Sequence, residues 1–451
     1  MIISSQDRGL RSYLCHNDPR TTRQRLADLR TIYEQVGRLN RRQNNPALRR
    51  DLTAVLRDRH ASREDRPDIP QFDVVPDPRG DEIPIVPQEL LIRADAADSP
   101  AGRSLIAAYG LKTSRCLRDR LVRLTASGTP SRLADLAGAM TAHGIAASMN
   151  YVVPTGAVWK GLGGPEPSAG PGPSRPAPGD GDRIAVAVID TGVTAQQRTD
   201  RWLTDVVRDG NIDDLDVLPG PPDGLLDIAA GHGTFVAGVL QQVAPDADIR
   251  VYRALDSDGI GSEVDAAIAM VQAVQDGAQI INLSLGLETL NDEPPVAFAT
   301  ALEIVHDIEA ATGRDVVIVA AAGNYGHDRP CWPAAFDDVT GVAALTQDLE
   351  PADWSSRGSW VDCSTIGEGV RSTYVEGTES PVVDPEPDTF GPDSWALSSG
   401  TSFAAPQVAG AIALIARNEE VDVAEARRLL LLEGLPPAPG YGTRIGILPR
   451  T

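Results

Sequence analysis

The chain has 451 residues, 42% of them hydrophobic, and a formal net charge of −22, so it is too long for one average domain and apolar enough for at least one large core. An acidic body excludes a general nucleic-acid binder, whose affinity comes from Lys and Arg meeting phosphates, and no stretch is long and apolar enough to span a bilayer. The first 66 residues differ in kind, with 15 Arg against 8 acidic residues.

Residues 1–63 read as a basic helical arm. Leu26, Leu29, Ile32, Tyr33, Val36, Leu39, Leu48, Leu52, Val55 and Leu56 recur at three- and four-residue spacing, which predicts two amphipathic helices broken near Asn44-Asn45-Pro46. Their arginine-rich faces suit solvent or a protein partner better than nucleic acid. The start, MIISSQDRGLRSYLCHND, lacks the apolar run of a secretory signal, so a soluble, cytoplasmic protein without a membrane partner is expected. Cys15, Cys116, Cys331 and Cys363 lie far apart without CxxC spacing, which predicts reduced thiols. Residues 64–87 hold six prolines and several acids and read as an extended linker.

From Gln88 the pattern becomes compact. A strand-like ELLIR (Glu89 to Arg93), a helical stretch from Ser99 to Tyr109 and strand-like runs around Leu111 to Cys116 and Leu121 to Leu124 come first. A helix from Ser131 to His143 and a strand from Ala146 to Val153 complete the order βαββαβ. That order predicts a small α+β domain of the split βαβ type over residues 88–154. Residues 155–182 read as a second linker. Between Gly163 and Gly181, 12 of 19 residues are Gly or Pro, which predicts a flexible, exposed tether open to cleavage.

Residues 183–451 read as an α/β domain. Apolar runs at Ile184 to Ile189, Ile249 to Tyr252, Ile280 to Leu285, Val316 to Ala321 and Val339 to Ala344 alternate with helical patterns at Thr234 to Val243, Glu263 to Gln275 and Ala297 to Ala311. This predicts a doubly wound parallel sheet covered on both faces, with sites at the C-terminal ends of its strands. Asp190 ends the first strand in AVIDTGV, His232 lies between glycines in GHGTFVAG, Asn324 ends the fourth strand in VIVAAAGN, and Ser402 opens an apolar helix in GTSFAAP. Alone, each has a plainer reading as a turn former, a helix cap or a structural histidine. Pro406 fits that helix if it falls in the first turn, where no N–H is needed.

Taken in order on this βα framework, the four residues resemble the subtilisin-like serine proteases, the subtilases, over roughly Arg183 to Leu435. Serine acyl transfer needs an imidazole to activate the hydroxyl, a carboxylate to orient the imidazole, and donors aimed at the oxyanion. The resemblance implies that Ser402 is the nucleophile, His232 the general base and acid, Asp190 the orienting carboxylate and Asn324 a side-chain oxyanion donor. It implies that Ser284, Leu285 and Gly286 pair with an extended peptide or protein substrate. Ala321, Ala322 and Gly323 would line one wall of the pocket for the side chain before the scissile bond, with the segment around Cys331, Trp332 and Pro333 supplying the rest. A Cys331 thiol there either narrows the pocket or is an inert small hydrophobe. A bond from Cys331 to Cys363 is disfavoured in cytoplasm.

No cofactor or metal ligand is carried over, because Gln241 to Pro245 runs straight into the next strand where many secreted relatives insert a calcium loop. The seven aspartates between Asp205 and Asp227 offer oxygen ligands for calcium, but read better as an acidic solvated loop. The insertion Thr378 to Trp395 is expected as a rim over the cleft. In position, size and pattern the small domain resembles the inhibitory prodomain of this family. That implies a precursor inhibited by its own prodomain in cis, with the tail Asn150 to Pro154 in the cleft and self-cleavage between Val153 and Gly181. The alternative is a silent or permanently inhibited subtilase fold serving as a peptide-binding or scaffolding module.

Overall fold

The structure is a computed structural model and describes residues 18–43, 46–61, 71–155, 164–176, 179, 182–218, 220–382 and 386–448. Cys15 and the rest of residues 1–17 of the arm lie outside these residues. The arm forms α1 (Thr22–Gln43) and α2 (Pro46–Ala61), separated where the spacing predicts a break. The docked face of α1 is not simply the apolar stripe. Asp28, Ile32, Gln35 and Leu39 are buried, whereas Leu26 and Tyr33 stand 61% and 77% exposed.

Residues 71–87 are not the linker expected from their prolines. β1 (Asp73–Pro76) pairs antiparallel with β2 (Glu82–Arg93), and the Asp77 carboxylate closes the turn by accepting from the backbone N–H groups of Arg79 and Asp81. The alternation of Ile83 and Ile85, both buried with Val75, outweighs the prolines between them. α3 (Ala94–Asp98), α4 (Pro100–Ala108), β3 (Lys112–Cys116), β4 (Leu121–Thr125), α5 (Pro130–Ala142) and β5 (Ala147–Pro154) complete the small domain. Ser99 and Thr129 cap α4 and α5, each followed by a proline in the first turn. The sheet order is β3-β4-β2-β5, antiparallel throughout.

A short β6 (Glu166–Pro167) leads to the α/β domain. This contains β7 (Ala185–Asp190), α6 (His232–Val243), β8 (Asp248–Arg253), β9 (Ile260–Ser262), α7 (Glu263–Gln275), β10 (Ile280–Leu283), α8 (Val296–Thr312), β11 (Val317–Ala321), β12 (Val339–Leu345) and β13 (Cys363–Ile366). β14 (Val370–Thr373), β15 (Gly377–Thr378), β16 (Thr389–Phe390) and β17 (Trp395–Ser398) precede α9 (Thr401–Asn418), α10 (Val423–Leu432), β18 (Leu435–Ala438) and β19 (Gly442–Arg444). The main sheet runs β18-β19-β13-β12-β11-β10-β7-β8, parallel except for β18. Val186 and Val188 of β7 join the core under α6 and α9, and Ala187 and Ile189 join the core under α7 and α8. This two-sided burial is why the strands read as unbroken apolar runs. The second core continues into the small domain, where Leu90, Leu124 and Val153 share a cluster with Val264, Met270 and Phe298. Strand order reverses at β7, with β8 on one side and β10 on the other, and such a switch point opens a crevice at the strand ends.

The Gly- and Pro-rich run is likewise not the free tether expected. β6 pairs antiparallel with β17, which also pairs with β14. Arg371 donates to Oγ of Ser168 and to the carbonyls of Gly170 and Pro171, and Trp202 Nε1 donates to the Pro173 carbonyl. Proline removes N–H donors but leaves every carbonyl in place, and these are what the arginine and indole donors engage. The insertion after Thr378 forms the β15–β16 hairpin, with Phe390 4.5 Å from the ring of Tyr374. The Tyr374 hydroxyl in turn donates to the Ala230 carbonyl, two residues before His232. No described helix is long and apolar enough to cross a membrane.

Candidate active site

β7 ends at Asp190, which is fully buried. Its Oδ1 accepts from the backbone N–H of Thr191 at 2.8 Å and lies 2.7 Å from Nδ1 of His232, the first residue of α6. Two glycines make this approach feasible. Gly231 takes the left-handed conformation before α6, and a Cβ on Gly233 would stand 2.1 Å from the Gly192 carbonyl. The imidazole is thus held from one side, with its Nε2 buried and without a hydrogen-bond partner among the described residues.

Ser402 is the second residue of α9, and its Oγ is also buried and without a partner among the described residues. The preceding Thr401 links the helix to the end of β11. Its N–H and hydroxyl donate to Oδ1 of Asn324 at 2.9 and 3.0 Å, and its Oγ1 accepts from the Gly323 N–H. With Oδ1 committed to Thr401, the Asn324 Nδ2 is turned towards Gly400. Pro406 is the sixth residue of α9, one turn later than expected, and its missing N–H would have bonded the Ser402 carbonyl. The Ser284 hydroxyl donates to that carbonyl at 2.7 Å instead. Ser284 therefore does more than border a strand: it repairs the helix at the serine.

The small domain's tail lies in the crevice. Val152, Val153 and Pro154 of β5 pair antiparallel with Ser262, Gly261 and Ile260 of β9. Thr155 donates to the Gly259 carbonyl at 2.7 Å and bridges Leu285, while Gly286 donates to the Pro154 carbonyl at 3.3 Å. Leu285 and Gly286 thus border the tail on its other side, whereas the Ser284 hydroxyl is turned to Ser402. Ala321 and Ala322 are buried at the end of β11, and the Cys331 Sγ wedges between the glycines. It lies 2.7 Å from where a Cβ on Gly286 would be and 2.9 Å for Gly323. Burial pushes the Cys331 thiol up, far from a reactive thiolate. Cys331 and Cys363 are both free.

Two of the aspartates read as a solvated loop are buried. Asp227 accepts from Arg59 of α2, from the Ser257 hydroxyl and from backbone N–H groups. Asp213 accepts through Oδ2 from the Gly231 N–H and the Thr191 hydroxyl, tying together the residues beside Asp190 and His232. No feature of the local spacing marks it apart from its acidic neighbours. Burial, reinforced by Asp190, pushes the Asp213 carboxyl up to about 8 despite those donors. An unfolded Asp loses its proton near pH ~4. Asp213 therefore removes stability progressively as pH rises from there to about 8, and no more above. Asp213→Asn keeps the accepting oxygen, so the melting temperature of the wild type should fall more steeply than the variant's across that window. Parallel slopes would show that Asp213 is charged in the fold.

A model described as the subtilase family matches residues 181–433. The chain is 34% identical over 195 residues to the Thermophilic serine proteinase of Bacillus sp. (strain AK1), covering 41% of this chain and 42% of that protein. It is 32% identical over 244 residues to Subtilisin BL of Lederbergia lenta, covering 51% of this chain and 76% of the relative. The chain therefore spans less than half the length of the first relative. Among solved structures, fervidolysin from Fervidobacterium pennivorans, a keratinolytic enzyme related to subtilisin, shares the fold with a TM-score of 0.55 at 19% identity. That likeness covers 80% of this chain and 60% of the other.

Proposed function

Because the chain belongs to the subtilase family, we propose that it is a serine endopeptidase made as an autoinhibited precursor. Ser402 attacks the scissile carbonyl, His232 takes and returns the proton, and Asp190 holds the imidazole by its Nδ1–H. The Asn324 Nδ2 and the Ser402 N–H receive the oxyanion. No cofactor is needed for this chemistry. The observation that carries the reading is the tail, seated as a strand between β9 and Leu285–Gly286 beside this constellation, as a substrate peptide would be.

The same register names a bond. Thr155 bridges Leu285, and Ser284, the residue before Leu285, donates its hydroxyl to the Ser402 carbonyl, which supports the residue after Thr155 as the one whose peptide bond is cut. The expected self-cleavage is Gly156–Ala157, within the Val153 to Gly181 interval; residues 156–163 lie outside the described ones. A glycine there also suits a pocket filled by the Cys331 thiol, so substrates with Gly, Ala or Ser before the scissile bond are favoured. Unbonded thiols at Cys116, Cys331 and Cys363 support a reducing compartment such as the cytoplasm.

The reading is tested by treating the protein with a fluorophosphonate and sequencing the processed chain. Labelling at Ser402 and a new terminus at Ala157-Val158-Trp159 are expected; neither labelling nor truncation would leave the scaffolding alternative. Cys331→Gly should accelerate cleavage after Leu or Phe by roughly tenfold or more, since one or two heavy atoms in a pocket are worth that much. An unchanged preference would remove Cys331 from the pocket.

A further inference from the structure

We propose that Gln35, on the N-terminal arm, is a positioning residue for the nucleophile, so that the arm is part of the catalytic apparatus rather than an appendage. The inference rests on the serine-protease reading. Gln35 is fully buried in the middle of α1. Its Oε1 accepts from the Ser399 hydroxyl, and its Nε2 donates to the carbonyls of Leu397 at 3.2 Å and Gly164 at 2.6 Å. Leu397 and Ser399 are the last stretch of chain before Gly400, Thr401 and Ser402.

Ser399 is in turn a junction. Its Oγ accepts from the Gly369 N–H at 2.9 Å, and the neighbouring Gly400 N–H donates to the Gly367 carbonyl at 2.9 Å. Ile32, one turn before Gln35, presses on Gly369, where an added Cβ would meet Ile32 side-chain atoms at 2.3 Å. The serine turn therefore has two anchors. Asn324 holds Thr401 from the side of β11, and Gln35 holds Leu397 and Ser399 from behind. The first is built into the α/β domain, and the second is contributed by residues more than 360 positions away.

A primary amide can satisfy two carbonyls and one hydroxyl at once, which no apolar residue of similar size can do. Without it, the Leu397 and Gly164 carbonyls lose a donor and the Ser399 hydroxyl loses its acceptor, and the turn is free to shift to recover them. A shift of the order of an ångström at a reacting atom costs catalysis far more than it costs folding. Leu39, one helical turn beyond Gln35, is the natural contrast: it is an apolar residue in a cluster with Ala344, Ala352 and Trp354.

Self-cleavage offers a readout in which binding from solution plays no part, because the tail up to Thr155 is already paired with β9 and Leu285. Full-length chain made by cell-free translation is followed for conversion to the processed form in wild type, Gln35→Leu, Ser399→Ala, the double variant and Leu39→Ala, with melting temperatures of the same chains on a Ser402→Ala background. The expected result is a first-order rate lowered roughly tenfold by Gln35→Leu and by Ser399→Ala. The double variant should lose no more than either single change, as for two members of one contact. Leu39→Ala should lower the melting temperature at least as much yet process within about twofold of wild type. The proposal is overturned if Gln35→Leu processes at the wild-type rate, if the two losses multiply, or if Leu39→Ala slows processing equally for the same loss of stability. A wild type that never processes and never reacts with a fluorophosphonate would instead sink the protease reading, and this inference with it.

Discussion

Ser402→Ala is expected to abolish processing and lower any hydrolysis by roughly 10⁴–10⁶-fold, a range set by triad knock-outs in subtilisin, a member of the same family. The chain should accumulate at its full 47.8 kDa. Folding should survive, because the Ser402 Oγ is buried without a hydrogen-bond partner among the described residues. Removing an unpaired buried hydroxyl leaves no orphan behind. A melting temperature equal to or above that of the wild-type precursor, together with no new terminus, is the predicted pair of results. Truncation at Ala157 in this variant would mean that another protease makes the cut, and would withdraw the evidence of self-cleavage.

Asn324→Ala is expected to lower turnover by roughly 10²–10³-fold with little change in substrate affinity, a magnitude known for one such donor in subtilisin. Here the side chain has two jobs. Its Oδ1 holds the N–H and hydroxyl of Thr401, and its Nδ2 is proposed to meet the oxyanion. Alanine removes both and should also cost about 1–2 kcal/mol of stability through the orphaned Thr401 groups. Asn324→Asp keeps the acceptor and removes the donor. It should retain most of the stability and lose at least as much turnover. A variant that loses affinity in step with turnover would make Asn324 a substrate-positioning residue instead.

Much of this was legible in the chain because its signals are local. A buried parallel strand announces itself as an apolar run, and Asp190, His232, Asn324 and Ser402 each sit among small residues at a strand end or helix start. What escaped was set by distant partners. The period Asp28, Ile32, Gln35, Leu39 marks the docked face of α1, yet two of its members are polar, so counting apolar residues selected Leu26 and Tyr33, which are exposed. Asp213 and Asp227 look like their solvated neighbours until Gly231, Thr191 and Arg59 are brought against them. Prolines misled twice, at 71–87 and at 164–176. They forbid N–H bonds, but the Ile83–Ile85 alternation and the donors of Arg371 and Trp202 do not require any.

The arm bears on how the proposed inhibitory domain would leave. α1 holds the chain behind the serine turn, and α2 places Arg59 on Asp258, beside the strand that pairs with the tail. After a cut at Gly156 the amino-terminal piece would still grip the enzyme at both the arm and the cleft. Such an attachment is bivalent: when the tail lets go, the arm keeps it nearby at an effective concentration of the order of millimolar. Dilution would then do little to free the cleft, and a weak tail would inhibit as well as a tight one. Activation becomes a question of separating the arm from the small domain, so that one hold can be kept while the other is lost.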